Sequence, residues 1–458
     1  MTKQTNKGSV LLLTTISSFI TPFVSAAVNI ALPSLGQEFS LDAVMLGWIA
    51  TSFLISSAVF LMPMGRLADI AGRKRLFMSG IMMYSLISLL CTLAPTGSIL
   101  IILRIIQGFA SAMVFSTSTA ILISVYPPAQ RGRALGINTT AVYTGLSAGP
   151  FLGGLITQYF GWRSIFIFTA LLGIIVAVLL ILTVHDEWAE AKGERFDIYG
   201  SFIYVISLLA AMYGFTVLPG LSGFYLILSG AAGLVFFVYF ESRTSSPVLN
   251  IKLLLHNRVF VFSNLAALIN YSATFAVGFL MSFFLQFVQG FTPRGAGIIL
   301  AAQPVMMALL SPVAGKLSDK TEPRIVSSFG MGLITAGLLM LAFMQESSSL
   351  IFIILSLLVL GAGFGMFSAP NTNAVMSSVD KQHYSIASST LGTMRLSGQM
   401  FSMGIAILIF SIFIGHVKIT PAHHAALLKS VRYAFLIFSV LCFAGIFASL
   451  SRGKMRRN

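Results

Sequence analysis

Long apolar stretches, separated by short charged or turn-forming segments, follow one another along the whole chain. Each has about twenty residues, the length that an α-helix needs to cross the hydrocarbon core of a bilayer. Fourteen such stretches can be counted, at approximately 10–32, 45–65, 76–94, 98–125, 135–157, 164–184, 198–218, 224–242, 259–288, 295–314, 325–345, 350–378, 386–414 and 431–451. The pattern predicts an all-α polytopic membrane protein with fourteen transmembrane helices.

Two of the intervening loops repeat one sequence pattern. The second stretch ends in GRLAD (65–69) and the tenth in GKLSD (315–319), each followed by further cations. If these loops correspond, stretches 1–6 and 9–14 are equivalent units. We therefore expect an N-terminal six-helix bundle at 1–184, a cytoplasmic linker at 185–197, an inserted two-helix hairpin at 198–243 and a C-terminal six-helix bundle with a basic cytoplasmic tail at 244–458. An array of fourteen helices without a repeat is the alternative.

Composition and charge placement support the membrane assignment. The chain is 57% hydrophobic and only 9% charged, with a mean hydropathy of +0.92, which excludes a soluble domain. The net charge of +15 is concentrated in alternate loops and in the tail, which is the positive-inside pattern. We therefore expect a multi-pass plasma-membrane protein with both termini cytoplasmic and no nucleic-acid partner. The first stretch is too long for the apolar core of a signal peptide, and it reads as a retained span.

Several chemistries lack the residues that they need. Cys91 and Cys442 lie in apolar stretches and suggest buried packing residues rather than a disulfide or a metal site. No G-x4-GK[ST] loop occurs, so ATP is not expected to drive the protein. No catalytic triad or metal-ligand spacing is evident either. We predict no enzyme activity, no cofactor and no metal.

A stripe of glycines marks the fifth stretch. Gly145, Gly149 and Gly153 recur every four residues and so share one face of a helix, and Pro150 can bend that helix. Such a stripe lets a neighbouring helix approach closely, and a tightly packed helix pair would explain it alone. The order G-x8-G-x3-GP-x2-GG, beginning at Gly136, also resembles the antiporter motif of the major facilitator superfamily. In that superfamily the motif marks exporters and lies on the fifth helix.

The loop 65–75, GRLADIAGRKR, contains one carboxylate and four cations. Gly65 and Gly72 permit tight turns at helix ends, and Asp69 could pair with an arginine or with the N-terminus of a neighbouring helix. Such a latch would hold the two bundles together in one state; a positive-inside anchor with one incidental acid is the alternative. The string resembles the superfamily's loop 2–3 signature. That resemblance implies that Asp69 and Arg73 serve conformational cycling.

Two arginines lie inside predicted spans, where a guanidinium is costly unless it faces a cavity or a partner. Arg104, which could also snorkel, stands in an R-x-x-Q-G pattern that resembles the helix 4 signature of the superfamily. There the arginine is tied to proton transfer or to ligand binding. Arg395 stands in R-x-x-G-x5-G-x-A, which resembles the corresponding helix of the fourteen-span drug:proton antiporters. The resemblance to this multidrug efflux type covers essentially the whole chain, and it implies the major facilitator fold in a 6+2+6 arrangement.

One position departs from that subfamily. Its first helix usually carries an aspartate where this chain has Val24, and no acidic residue of the chain lies in the middle of a predicted span. A buried carboxylate is the usual means of coupling proton uptake to drug export, whereas arginine stays protonated and binds anions. We therefore hypothesise a cavity biased toward neutral, zwitterionic or anionic amphiphiles. In the competing interpretation, backbone carbonyls, Gln107 or Gln399 satisfy the arginines and leave no net field.

The expected cavity lies between the bundles near the midplane. We predict that it is lined by polar, aromatic or methionine residues at mid-span, each of which could equally serve interhelical packing. The candidates are Asn29, Gln107, Met113, Asn138, Tyr143, Asn270, Tyr271, Gln303, Asn371 and Gln399.

These observations together predict a monomeric transporter that exports small, amphiphilic, drug-like compounds by alternating access, linked to protons. Its expected partners are the small-molecule substrate, protons and the lipid bilayer. The alternative transporter is a proton-independent exporter or facilitator of an anionic metabolite or a lipid. A sensor or scaffold that has lost transport is the rival of another class, and only the residue at position 24 favours it.

Overall fold

The computed structural model describes residues 6–218, 220–244, 257–379, 384–415, 417 and 419–453, and within these ranges it contains helices and no strands. The helices up to the predicted hairpin are α1 Lys7–Phe39, α2 Ala43–Ala71, α3 Arg73–Thr92, α4 Gly97–Val125, α5 Pro128–Phe160, α6 Arg163–Thr183, α7 Ile198–Val217 and α8 Leu221–Glu241. The remaining α-helices of the described residues are α9 Arg258–Thr274, α10 Val277–Phe283, α11 Pro293–Leu300, α12 Ala302–Lys320, α13 Pro323–Ala342, α14 Leu350–Ser377, α15 Tyr384–Phe413 and α16 His424–Leu450.

Polar residues between the apolar stretches begin several of these helices. The side chains of Asn6, Asp42, Asp197 and Asn257 each accept a hydrogen bond from a backbone N–H in the first turn of the helix that follows. Such caps satisfy donors that have no partner within the helix. The short loops are therefore compatible with abrupt reversals of the chain between helices.

Most of the helices are long enough to cross a bilayer. Thirteen helical segments within the described ranges have the required length and apolar composition, and α5, which carries the glycine stripe, is a further helix of 33 residues. The ninth and tenth predicted spans correspond to two of these segments, Arg258–Val288 and Pro293–Ser318, but neither is a regular α-helix throughout. The ninth is interrupted between α9 and α10 and ends in a π-helical turn at Phe284–Val288, and the tenth is interrupted at Ala301 between α11 and α12.

The interruption of the ninth span leaves a backbone donor that α15 satisfies. The N–H of Ala276 donates to the hydroxyl of Ser402 at 3.0 Å. Within a membrane a broken helix is tolerated where neighbouring side chains bond the released groups. The break is therefore a packed feature of the array.

The helices before and after the α7–α8 hairpin pack in the same pattern. We call α1–α6 the N-half and α9–α16 the C-half. In the N-half α1 packs on α5, α2 on α4, and α3 on both α4 and α6. In the C-half α9 packs on α15, α12 on α14, and α13 on both α14 and α16. The helices of the hairpin pack mainly on each other, and α7 also contacts α2 and α15.

The glycine stripe of α5 lies against the backbone of α1. A Cβ atom at Gly145 would lie 2.5 Å from the carbonyl oxygen of Phe19, and one at Gly153 would lie 2.7 Å from the Cα of Ala27. At Gly149 it would lie 2.5 Å from the methyl group of Ala26. These distances leave no room for a side chain, so the three glycines set how closely α5 approaches α1.

Candidate functional site

A central cavity of about 720 Å³ lies between the two halves. We call the end of the array where α1 begins and α16 ends the proximal end, and the opposite end the distal end. The cavity is lined by the proximal parts of α4, α5, α12, α14 and α15, and its residues include Asn138, Tyr143, Asn373 and Arg395. Its volume falls within the range of about 300–1,000 Å³ that is typical of small-molecule sites.

Two smaller cavities, of about 40 and 110 Å³, continue from it into the middle of the protein. Tyr143 and Arg395 line both the large cavity and the 40 Å³ cavity. Tyr271 and Gln399 line both small cavities. We call these four residues the central site, because they connect the three cavities.

The arginine of the central site lies beside aromatic rings. Its guanidinium carbon is 5.3 Å from the ring centroid of Tyr271 and 5.9 Å from that of Tyr143. Phe364 contacts both tyrosine rings edge to face. The Nε atom of Arg395 is buried and has no hydrogen-bond partner among the described residues. Of the described residues that line the three cavities, Arg395 alone is charged.

The two halves meet closely at the distal end. A Cβ atom at Gly154 would lie 2.5 Å from the carbonyl oxygen of Pro293, and one at Gly297 would overlap the carbonyl oxygen of Pro150. The Ser282 hydroxyl also donates to the carbonyl oxygen of Asn29 at 2.9 Å. At the proximal end, by contrast, a Cβ at Gly136 or at Gly315 would meet nothing within 4 Å. The structure is therefore sealed distally and open proximally.

Two hydrogen bonds between described residues join α5 to the C-half near the central site. The hydroxyl groups of Tyr143 on α5 and Ser368 on α14 are within hydrogen-bond distance of each other. Nearby, the Ser147 hydroxyl donates to the carbonyl oxygen of Pro304 at 3.4 Å. Any movement that separates α5 from α12 and α14 must break these contacts.

Most of the predicted cavity residues that carry amide or phenol groups do line these three cavities. They are Asn29, Asn138, Tyr143, Tyr271, Gln303 and Gln399. Four candidates line none of these three cavities. Met113 lies on the face of α4 that is turned to Gly80 of α3, while Asn270 and Asn371 are buried away from these cavities. Gln107 is buried inside the N-half, where its amide oxygen accepts from Arg104.

Arg104 is fully buried within the N-half and lines none of the three cavities. Its Nη1 donates to Gln107 at 2.6 Å, Gln107 donates to the Ser88 hydroxyl at 2.7 Å, and its Nε donates to the carbonyl oxygen of Ile49 at 3.3 Å. The guanidinium also lies 4.2 Å above the ring of Phe53. These neutral groups bond two of the three guanidinium nitrogens, leave Nη2 without a partner among the described residues, and tie α4 to α2 and α3.

We expect Gln107→Leu to destabilise the protein by about 2 kcal/mol, because it leaves a second guanidinium nitrogen of Arg104 unbonded in addition to Nη2. Adding Arg104→Met should restore most of this loss, because a buried polar pair can often be replaced by apolar groups at little cost. Thermal unfolding of both variants and of Arg104→Met alone would measure the coupling. Additive losses in the double variant would contradict the assignment of these two residues as one unit.

At the proximal end the segment predicted as the 65–75 loop consists of the end of α2, Gly72 and the start of α3, and it is bonded to the linker; we keep the name 65–75 loop for it. Arg73 is buried and donates to Asp69 at 2.8 Å, to Glu190 at 2.7 Å and to the Ser124 hydroxyl at 2.6 Å. Glu187 accepts from the backbone N–H groups of Lys74 and Arg75 at the N-terminus of α3. In this conformation the latch residues Asp69 and Arg73 thus bond within the N-half and to the linker that follows it.

Two further contacts complete this arrangement. The Arg66 guanidinium lies 2.5 Å from the Glu194 carboxylate, and the N–H of Ala191 donates to the carbonyl oxygen of Asp69. Gly72 has a φ of +116°, and a Cβ there would lie 2.7 Å from the Glu187 carboxylate. Sequence reasoning treated 185–197 only as a charged linker. The linker contains several acidic residues and the 65–75 loop contains four cations. Their opposite charges were the signal that could have predicted this pairing.

The comparisons with known proteins agree with this architecture. The sequence profile of the Major Facilitator Superfamily matches residues 14–403 and 264–457. The chain is 27% identical over 445 residues to the riboflavin transporter RibZ of Clostridioides difficile (strain 630), which covers 96% of each protein. It is 29% identical over 404 residues to the multidrug resistance protein Stp of Mycobacterium tuberculosis (strain ATCC 25618 / H37Rv), covering 87% of this chain and 74% of Stp.

A solved structure shows the same fold. The inward-facing, unoccupied bacterial homolog of the human lysosomal transporter Spinster superimposes with a TM-score of 0.70 at 18% identity, covering 97% of each chain. At that identity the likeness concerns the fold alone. The matching profile, however, covers most of the sequence. The chain therefore belongs to the Major Facilitator Superfamily and is a membrane transporter, not an enzyme.

Proposed function

We propose that the protein exports small amphiphilic organic compounds across the plasma membrane by alternating access. The observation that carries this proposal is a central cavity that is open at the proximal end and sealed at the distal end by the antiporter glycine motif. Pro150 and Gly154 of that motif contact α11 of the other half, so the motif lies where opening and closing must occur. The names of RibZ and Stp, a riboflavin transporter and a multidrug resistance protein, are consistent with a drug-like substrate.

The proposed topology follows from the cations. The 65–75 loop with its four cations lies at the proximal end together with the basic start of α9. Cationic loops stay on the cytoplasmic side of a membrane, so the proximal end is cytoplasmic and both termini lie there. We further propose a fourteen-span, 6+2+6 division of a monomer, supported by the equal packing patterns of the N-half and the C-half.

We also propose that export is linked to protons, as in the fourteen-span drug:proton antiporters that the chain resembles. The second candidate is a proton-independent exporter or facilitator of an anionic metabolite or a lipid. One observation favours it, because no described residue lining the three cavities is acidic. Under the first candidate the proton is carried by an acid outside the cavity, such as Asp69.

Transport in everted membrane vesicles distinguishes these candidates. We expect vesicles that contain the protein to accumulate at least one of riboflavin, ethidium or anthracene-9-carboxylate above the level of vesicles that lack it. If export is proton-linked, adding that compound to respiring vesicles should dissipate part of the pH gradient. Accumulation with an unchanged gradient would support the second candidate, and no accumulation of any amphiphile in a wider panel would contradict export.

A matched pair of glycine variants tests whether the distal contact belongs to the transport cycle. Gly297→Leu places a side chain against Pro150 and should abolish accumulation, because the distal end could no longer close. Gly332→Leu adds the same side chain on α13, where a Cβ would meet nothing within 4 Å, and should leave accumulation near the wild-type level. Equal accumulation by the two variants would contradict alternating access through this contact.

A further inference from the structure

We propose that the central site binds an aromatic acid, with Arg395 bonded to the carboxylate of the substrate and the adjoining aromatic side chains in contact with its ring. This inference rests on the proposed transport function, because it assigns the class of compound that occupies the transport cavity. It specifies the charge and the aromatic character of that compound, which the first candidate of the previous section leaves open and the second gives only as an anion or a lipid.

Arg395 brings a positive charge into the cavities that no described acidic residue lining them balances. Arg395 is the single charged residue among the described residues that line the three cavities. It lies beside the rings of Tyr143 and Tyr271, forms a side-chain hydrogen bond with Tyr271, and has no ion pair with a carboxylate among the described residues. Arginine remains protonated in proteins. An empty cavity therefore contains a cation whose charge-assisted hydrogen bonds are not all made, as the unpartnered Nε shows.

Arg395 and Arg104 differ in their position relative to the cavities. Arg104 is fully buried, with Nη1 and Nε bonded to Gln107 and to the carbonyl oxygen of Ile49 and Nη2 without a partner among the described residues, but it lines none of the three cavities. Arg395 instead lies where the 720 Å³ cavity meets the 40 Å³ cavity. A guanidinium binds carboxylates through two parallel hydrogen bonds, and it does so most strongly where water is excluded. The ligand supplies the missing partner.

The cavity next to Arg395 has an aromatic lining. Beyond Arg395 the 40 Å³ cavity is lined by aromatic rings that include Phe53, Phe115 and Phe275. Gln399 is one helical turn from Arg395 on α15 and provides an amide that can bond a polar edge of the same ligand. Flat aromatic ligands gain from stacking and edge-to-face contacts with such rings. A cationic amphiphile would meet the same rings together with a repelling charge.

Binding of a matched series to the purified full chain in lipid nanodiscs tests this assignment. The series is anthracene-9-carboxylate, its neutral carboxamide and the 9-anthracenylmethylammonium cation, and the change in their fluorescence on binding gives each Kd. We expect the carboxylate to bind about tenfold or more tightly than the other two. Equal Kd values, or a preference for the ammonium compound, would overturn the proposal in the wild-type protein, whatever any variant does.

Variants then locate the preference. Arg395→Gln should abolish it, and Arg395→Lys should retain part of it, because lysine supplies a charge without the planar pair of donors. Arg243→Gln is the matched control, since Arg243 also lies over a tyrosine ring, that of Tyr239, but at the exposed end of the hairpin. A full carboxylate preference in Arg395→Gln would likewise refute the proposal.

Binding and transport can fail separately. If the carboxylate preference holds and vesicles accumulate nothing, the proposed function is wrong while the anion site stands. If vesicles accumulate ethidium and the carboxylate preference is absent, the exporter stands and the anion site is wrong.

Discussion

Gly145→Ala is expected to destabilise the protein by about 2 kcal/mol, although alanine normally favours a helix. The added methyl group would lie 2.5 Å from the carbonyl oxygen of Phe19 and 3.1 Å from the backbone nitrogen of Phe23. Both obstacles are backbone atoms of α1, so no side-chain rotation can relieve the overlap and the two helices must separate. Gly145→Leu should prevent accumulation of folded protein altogether. Thermal unfolding in detergent and the yield of monodisperse protein would measure these effects.

The same helix provides the control. A Cβ at Gly136 would meet nothing within 4 Å, so Gly136→Ala should gain about 0.5–1 kcal/mol from the lower conformational entropy of the unfolded chain. The two substitutions are chemically identical and differ only in what they contact. If Gly145→Ala unfolded at the same temperature as Gly136→Ala, the close packing of α5 on α1 would not limit stability.

Arg73→Ala is expected to destabilise the proximal end by about 2–3 kcal/mol. The residue is 2% exposed and its guanidinium bonds Asp69, Glu190 and Ser124 at once. Two of these partners keep water contact, since the side chains of Asp69 and Glu190 are 31% and 66% exposed, and this lowers the expected loss below that of a fully buried pair. Protease cleavage within 185–197 should become faster, because the linker loses one of its attachments.

Arg75→Ala is the matched control two residues along the same helix. Its side chain is 81% exposed and lies 3.7 Å from Glu187, so its removal should change stability by less than about 1 kcal/mol. Glu190→Gln should fall between the two arginine variants, because it removes one ionic partner of Arg73 and keeps the rest. Equal unfolding temperatures and equal cleavage rates for Arg73→Ala and Arg75→Ala would contradict the role of the 65–75 loop as the attachment site of the linker.

The positions of the helices were largely predictable from hydropathy, because a bilayer demands apolar side chains over a fixed length. Their ends were not. Helix α1 begins at Lys7 and α5 at Pro128, both outside the apolar stretches, since a helix can continue into the polar interface. The breaks near Ala276 and at Ala301 were also missed. Neither position is a proline or a glycine. At Ala276 a tertiary contact stabilises the break, because the backbone N–H of Ala276 donates to the hydroxyl of Ser402.

The central site was predictable only in part. Tyr143 and Gln399 were found because polar and aromatic residues in the middle of a span often line a cavity. Gln107 met the same criterion, but it lies on a face of α4 that is turned toward Ser88 of α3. Which face of a helix meets which neighbour depends on the packing of the whole array, and a single sequence does not state it. The pairing of Glu190 with Arg73 also depends on tertiary packing, so it could not be predicted from the sequence alone.

The position of the α7–α8 hairpin makes the two flanks of the transporter mechanically unequal. Tyr213 of α7 contacts Trp48 of α2, and Phe215 contacts Phe401 of α15. A rocking motion that changes the spacing of α2 and α15 cannot preserve both contacts. Such a motion would have to break or rearrange the contact of the hairpin with at least one half. The opposite flank, between α5 and α12, carries no such insert, so parting there breaks only contacts between the two halves themselves, such as the bond from Ser147 to Pro304.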